Sequence, residues 1–138
     1  MDEKDYDGIF YPGGNRPLLD LSNDKDSIRL IQSFYENKKP TGLVCHAPAA
    51  LKNVKTSDGV YLVKRKKVTG FTNSEEKAVE LTDEVPFLVE DMLKENGGVY
   101  SKADDWQSYS VQDENLVTGQ NPASSIEVAD FFFEMLQN

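Results

Sequence analysis

The chain holds one cysteine and one histidine, and they are neighbours, Cys45 and His46. A thiol beside an imidazole supplies the two parts of a cysteine nucleophile site, in which the imidazole takes the thiol proton. Free backbone N–H groups at a helix start favour the reactive thiolate, and the N–H of His46 could face an oxyanion. The pair therefore predicts nucleophilic chemistry at Cys45. The alternative is a small buried cysteine beside a histidine that begins a helix.

An apolar run at residues 41–45 leads directly into this pair. Its length and composition are typical of a strand buried on both faces in a parallel sheet, and residues 46–51 can begin the next helix. A sharp strand-to-helix turn exposes a nucleophile. Neighbouring residues on a regular helix do not face each other, so the pair works only if the backbone at Cys45 is bent or strained. Position alone leaves many of the 24 acidic residues as candidates to orient the imidazole.

Helical and strand patterns alternate along the rest of the chain, which indicates an α/β layer fold with a mainly parallel sheet. The predicted short strands are residues 7–11, 60–63, 67–70, 99–100, 109–111 and 116–118, with 60–63 and 67–70 as a hairpin. Helices are predicted at 26–35, at 84–96 between a Thr82 or Asp83 cap and a Gly97 cap, and after Asn121 and Pro122. Ligands in such sheets bind at the carboxyl ends of the strands, where Cys45 and the Gly13-Gly14 pair both fall.

Composition limits the functional classes of this protein. The chain has 138 residues and a net charge of −9, which argues against a nucleic-acid surface. No apolar run approaches the length of a membrane span, so no membrane partner is expected. The lone cysteine excludes a structural cysteine zinc site, and no metal is expected. The lone cysteine and the lack of a charged leader together predict that the protein is located in the reducing cytoplasm.

Five separated motifs resemble the ThiJ/PfpI superfamily, most closely its branch of glyoxalase III-like and chaperone-like members. They follow the family order and extend over essentially the whole chain. Tyr-Pro-Gly-Gly stands at residues 11–14, Val-Cys-His-Ala-Pro-Ala at 44–49, Lys-Val-Thr-Gly-Phe-Thr-Asn-Ser-Glu-Glu at 67–76, Ala-Asp-Asp-Trp at 103–106, and Thr-Gly-Gln-Asn-Pro-Ala-Ser at 118–124.

This resemblance implies a flavodoxin-like three-layer sandwich of the class I glutamine amidotransferase type. It also implies a cofactor-free conversion of a small dicarbonyl, methylglyoxal, to lactate. Cys45 would be the nucleophile, His46 its partner and Glu76 the third member, with Glu75 as the alternative one residue away. The oxyanion pocket falls on Gly13, Gly14 and Asn15, where Asn15 replaces the family's usual histidine. Homodimers are common in the superfamily.

In the family, a first strand and further βα units precede the Tyr-Pro-Gly-Gly loop and carry a glutamate that acts beside the cysteine. We therefore expect residues 1–138 to form a single domain that corresponds to the C-terminal part of the family fold. Without the N-terminal βα units, the expected alternatives are an enzyme domain that is active and a fragment that is inactive alone. The alternatives are a holdase chaperone or cysteine redox sensor without catalysis, and an amidase, peptidase or deglycase. The apolar run at residues 131–133 belongs either to an ordinary core helix or to a face that expects the absent segment or a partner subunit.

Overall fold

In the computed structural model, which describes residues 3–12, 21–79 and 85–137, four strands form the main sheet. Their order is Ile9–Tyr11 (β1), Thr41–Val44 (β2), Leu116–Gly119 (β6) and Ser110–Asp113 (β5). The first three are mutually parallel, and β5 pairs antiparallel with β6. Lys67–Val68 (β3) and Val99–Tyr100 (β4) form a second, parallel pair. The mainly parallel sheet predicted from the sequence is confirmed.

Helices cover the sheet and its connections. The α-helices are Lys25–Glu36 (α1), Asn73–Ala78 (α2), Val89–Glu95 (α3) and Ser125–Leu136 (α4). Short 3₁₀ helices lie at Glu3–Asp5, Ala47–Leu51 and Pro122–Ser124. In the described ranges, none of the helices combines the length and the apolar character that a membrane crossing needs.

The sheet is the middle of three layers. Consecutive strand residues point to opposite faces, so Leu43 and Val44 enter different cores. Leu43 packs with Ile31 of α1 and Leu93 of α3, whereas Val44 packs with Val128 of α4. The predicted sandwich is therefore confirmed, with α1, the 3₁₀ helix Ala47–Leu51 and α3 on one face and α4 on the other.

Glycine in β6 allows α4 to lie close to the sheet. A Cβ added at Gly119 would lie 2.6 Å from Cγ2 of Val128 and 3.0 Å from Cβ of Ser124. Such distances are well below ordinary van der Waals contact, so α4 would have to move away. Gly119 also pairs with Val44 at the end of β2, where Cys45 follows.

Two local predictions were wrong. Residues 60–63 form turns with one isolated antiparallel bridge between Lys55 and Tyr61, and β3 pairs in parallel with β4 beyond α3 instead of in a hairpin. This pairing depends on the burial of Val68 against α3, not on which segment lies nearest to β3 along the chain. The helix predicted at 84–96 begins only at Val89, because the backbone of Leu88 is extended, with φ −96° and ψ 132°. Pro86 also disfavours helical backbone at Val85.

The ends of the helices follow local sequence more closely. Gly97 has a left-handed φ of 91° and ends α3 as predicted. Asn121 and Pro122 open the last helical segment, also as predicted. Residues 46–51 form only a short 3₁₀ helix. The caps predicted at Thr82 and Asp83 lie outside the described residues.

Candidate active site

The backbone bends sharply at Cys45, directly after β2. Its φ is 65°, in the left-handed region that side-chain-bearing residues rarely adopt. Its N–H donates to the carbonyl of Gly119 at 2.9 Å, and its carbonyl accepts from the N–H of Phe71 at 2.9 Å. A strained residue persists only where its surroundings hold it, and here two other segments do so. This is the bend that a working Cys45–His46 pair requires.

The imidazole of His46 links the thiol to a carboxyl group. Sγ of Cys45 lies 3.5 Å from Nδ1 of His46, and Nε2 lies 2.7 Å from Oε2 of Glu76. A carboxylate only accepts, so Nε2–H donates to Glu76, and in the neutral imidazole the lone pair of Nδ1 then faces the sulfur. This arrangement can take the thiol proton and stabilise the imidazolium that forms.

The three side chains are shielded from solvent. Cys45 and His46 are each 4% exposed and Glu76 is 1% exposed. The ring of Phe71 packs on the imidazole, with 4.2 Å between ring centroids. Oε1 of Glu76 is buried and has no hydrogen-bond partner among the described residues. The packing therefore restricts rotation of the imidazole away from the sulfur.

A capping box starts the short helix that carries Glu76. The side chain of Thr72 accepts from the N–H of Glu75 at 3.0 Å, and Oε1 of Glu75 accepts from the N–H of Thr72 at 3.0 Å. The helix α2 has only six residues, so these contacts decide where it begins. Glu76 is the next residue along the helix, and its side chain reaches His46.

Glu75 serves a different purpose from its neighbour. It is fully buried, and its Oε2 accepts from the N–H of Trp106 at 2.8 Å and from Nδ2 of Asn121 at 2.7 Å. Nε2 of Gln120 donates to the same oxygen at 3.2 Å. Glu75 therefore joins the start of α2 to two other segments, and Glu76 is the acid in contact with His46. Sequence reasoning missed this network, although Thr72 and Glu75 have the spacing of a capping box.

Glu90 of α3 anchors α2 from outside. Its Oε1 accepts from the N–H of Asn73 at 2.9 Å and its Oε2 accepts from Nζ of Lys94 at 2.7 Å. Burial raises the pKa of Glu90, but the hydrogen bonds from Lys94 and Asn73 outweigh it and hold the pKa below its usual value. The charged form of Glu90 is therefore favoured in the folded protein.

We expect Glu90→Gln to lower stability by about 1 kcal/mol at pH 7, through loss of charge-assisted hydrogen bonds. Because folding lowers the pKa of Glu90, its contribution is present above the unfolded pKa, near 4.5, and is lost as the pH falls below that value. Thermal melts at pH 7, 5, 4 and 3 should show the two proteins converging below pH 4.5. The exposed Glu95→Gln on the same helix is the control. A difference that stays constant down to pH 3 would contradict this account.

The predicted oxyanion residues Gly13, Gly14 and Asn15 lie outside the described residues, and their role stays a prediction. Tyr11, the last residue of β1, pairs with Leu43 of β2. The described part of the chain has no group of three or more His, Cys, Asp or Glu side chains that could hold a metal ion.

The model of the DJ-1/PfpI family matches residues 1–136. The chain belongs to the DJ-1/PfpI family. The resemblance inferred from the five motifs is thereby confirmed, and the flavodoxin-like sandwich is the fold of this family's solved structures.

Relatives in the DJ-1/PfpI family share moderate sequence identity with this chain. Glyoxalase 3 of Candida albicans is 31% identical over 136 residues, which is 94% of this chain and 58% of the relative. The glutathione-independent glyoxalase HSP31 of Saccharomyces cerevisiae is 33% identical over 142 residues, which is 97% of this chain and 59% of the relative. The chain thus spans somewhat more than half the length of these curated relatives.

A solved structure of the same family extends the comparison. Rapid Encystment Protein 24 KDa of Francisella tularensis matches with a TM-score of 0.96 and 40% identity, over 100% of this chain and 61% of the other. The described fold is therefore the family fold over the matched region.

Proposed function

We propose that the site of Cys45, His46 and Glu76 performs glutathione-independent glyoxalase chemistry, converting methylglyoxal and water to lactate. The observation that carries this proposal is the continuous contact from Sγ of Cys45 through the imidazole to Oε2 of Glu76. Relatives with glyoxalase names, at 31% and 33% identity over most of this chain, support the same chemistry. The proposed setting is the cytoplasm, where a lone thiol stays reduced.

The reaction starts with the thiol proton passing to Nδ1 of His46 while Nε2–H donates to Glu76. The thiolate then forms a C–S bond to the aldehyde carbon of methylglyoxal. The carbonyl oxygen takes the proton held on Nδ1 of His46, which gives a hemithioacetal and restores the neutral imidazole. In this proposal the backbone N–H groups after the bend at Cys45 stabilise the developing oxyanion. Attack at the aldehyde is favoured because it carries less steric bulk than the ketone.

The second stage moves one proton between the two carbons. The former aldehyde carbon loses its hydrogen to a base, an enediol forms, and the neighbouring carbon is protonated to give a lactate thioester. His46, with Nδ1 beside the sulfur, is placed to carry this proton. Water then cleaves the C–S bond, which releases lactate and restores the thiol. Methylglyoxal and water account for every atom of lactate, so no external oxidant or reductant is required.

The direct test is to incubate the purified protein with methylglyoxal and follow lactate by proton NMR, with and without glutathione. We expect lactate to form at the same rate in both samples. In D₂O, lactate should carry deuterium at C2 where the proton on His46 exchanges with solvent before its return. Absence of lactate, or formation only with glutathione, would overturn the proposal.

A second candidate function is the binding of unfolded polypeptides, favoured by an apolar groove on α4. The groove has a volume of about 300 Å³ and is lined by Phe10, Ala129, Phe132 and Phe133. Phe133 is 59% exposed, and Ile126 on the same helix is 76% exposed. Contiguous exposed apolar surface of this kind is typical of interaction sites.

Suppression of client aggregation, measured by light scattering of heated citrate synthase, is expected to survive Cys45→Ser and to fall at least about twofold in Phe133→Asp. The reason is that the groove, not the thiol, would contact the client. Glu134→Gln, an exposed neighbour on α4, is the matched control and should behave as the wild type. Suppression lost with Cys45→Ser, or kept fully by Phe133→Asp, would exclude this function.

A further inference from the structure

Trp106 is the only tryptophan in the chain, and it is held in an unusual conformation. Its φ is 67°, which is left-handed and costly for a bulky side chain. Its N–H donates at 2.8 Å to Oε2 of Glu75, a fully buried residue that directly precedes Glu76. The conformation of Trp106 is thus tied to the helix that carries the acid of the candidate site.

The segment around Trp106 is fixed on both sides. The N–H of Ala103 donates to Oε1 of Gln120 at 2.8 Å, and the carbonyl of Gln107 accepts from Nδ2 of Asn121 at 2.8 Å. Gln120 is fully buried. These contacts hold the segment against the end of β6 and fix the backbone position of the indole.

Three aromatic rings run from the candidate site toward the surface. The imidazole of His46 and the ring of Phe71 have centroids 4.2 Å apart. The rings of Phe71 and Trp106 follow, 5.7 Å apart in an edge-to-face arrangement. The indole therefore lies two ring contacts from the imidazole that faces Sγ of Cys45.

Packing alone does not account for this placement. A tryptophan that only fills a core buries its ring, because that burial is its main contribution to stability. The side chain of Trp106 is 43% exposed, although a strained backbone and a buried carboxyl group hold it in place. Strain maintained by dedicated contacts is typical of functional sites, and an exposed indole offers an apolar face on which a flat group can stack.

We propose that Trp106 forms the outer wall of the approach to Cys45 and selects electrophiles that carry a flat apolar group beside the reacting carbon. Within the proposed function, which this inference extends, the favoured substrates are dicarbonyls with an aryl group, such as phenylglyoxal. An aryl group would stack on the indole while the aldehyde reaches the sulfur. A methyl group is too small to do both.

The test uses the single thiol as a reporter that needs no turnover. Cys45 is alkylated with N-phenylmaleimide and with N-ethylmaleimide, and the ratio of the two rate constants is divided by the ratio for N-acetylcysteine. We expect a wild-type preference for the phenyl reagent of roughly 3- to 10-fold, as an aromatic pair provides. Trp106→Phe should keep most of the preference, whereas Trp106→Leu, which is bulky but not aromatic, should bring the ratio to that of the free thiol.

Tyr6→Ala is the matched control, because Tyr6 is 48% exposed and lies outside the aromatic series. It should keep the wild-type ratio. A wild-type ratio equal to that of the free thiol, or an unchanged ratio in Trp106→Leu, would overturn the inference. Failure of either maleimide to alkylate the folded protein would overturn it too, since an open approach past the indole is required.

The two proposals fail separately. A phenyl preference without formation of lactate from methylglyoxal or of mandelate from phenylglyoxal would reject the glyoxalase function and support the aromatic wall. Lactate formation without a phenyl preference would do the reverse.

Discussion

Replacing Cys45 with serine is expected to lower the rate of lactate formation from methylglyoxal by at least about 10³-fold. A serine hydroxyl at neutral pH is a far weaker nucleophile than a thiol, and the imidazole alone cannot supply the thiolate that attacks the aldehyde. The change is nearly isosteric, so the two backbone hydrogen bonds at this residue should persist. Lactate formation under substrate excess, with a thermal melt of each protein, measures both effects.

The single cysteine allows a chemical control for this substitution. Treatment of the wild type with iodoacetamide should abolish lactate formation and add one label by mass, whereas the same treatment of Cys45→Ser should change neither. Lactate formation by Cys45→Ser at more than about a tenth of the wild-type rate would show that the sulfur is not the nucleophile.

Replacing Glu75 with glutamine is expected to cost about 3 kcal/mol of stability, equivalent to roughly 10 °C in Tm. One carboxyl oxygen accepts the N–H of Thr72, and the other accepts from Trp106, Gln120 and Asn121. An amide has one oxygen, so its NH₂ must face at least one buried N–H whichever way it turns. Thermal and urea unfolding measure the loss.

Glu76→Gln is the matched control, since it makes the same chemical change at the next residue, which is equally buried. It removes the carboxylate that accepts from Nε2 of His46, so lactate formation should fall by about 10²- to 10⁴-fold. Its effect on stability should be smaller than that of Glu75→Gln. The opposite pattern, with Glu75→Gln folding normally and Glu76→Gln fully active, would contradict the division of roles between these acids.

Several features of the fold are already determined locally. The apolar run before Cys45 forms β2, and the Thr72–Glu75 spacing forms a capping box. Gly97 ends α3 because a left-handed residue is needed there. Strand and helix periodicities depend on a few neighbouring residues, which is why an α/β layer fold with a mainly parallel sheet could be predicted. The same local reasoning failed at residues 60–63 and 85–88, where turns and Pro86 interrupt continuous apolar patterns.

By itself, the sequence determined the nucleophile candidate, because one thiol stands next to one imidazole at a strand end, and it determined family membership through five ordered motifs. Only the tertiary structure decided which acid contacts His46, since Glu75 and Glu76 differ by one position and lie about 30 residues away along the chain. It also decided the bend at Cys45, which depends on Gly119 and Phe71. Both outcomes rest on contacts between distant segments, and these depend on how the layers pack rather than on local propensity.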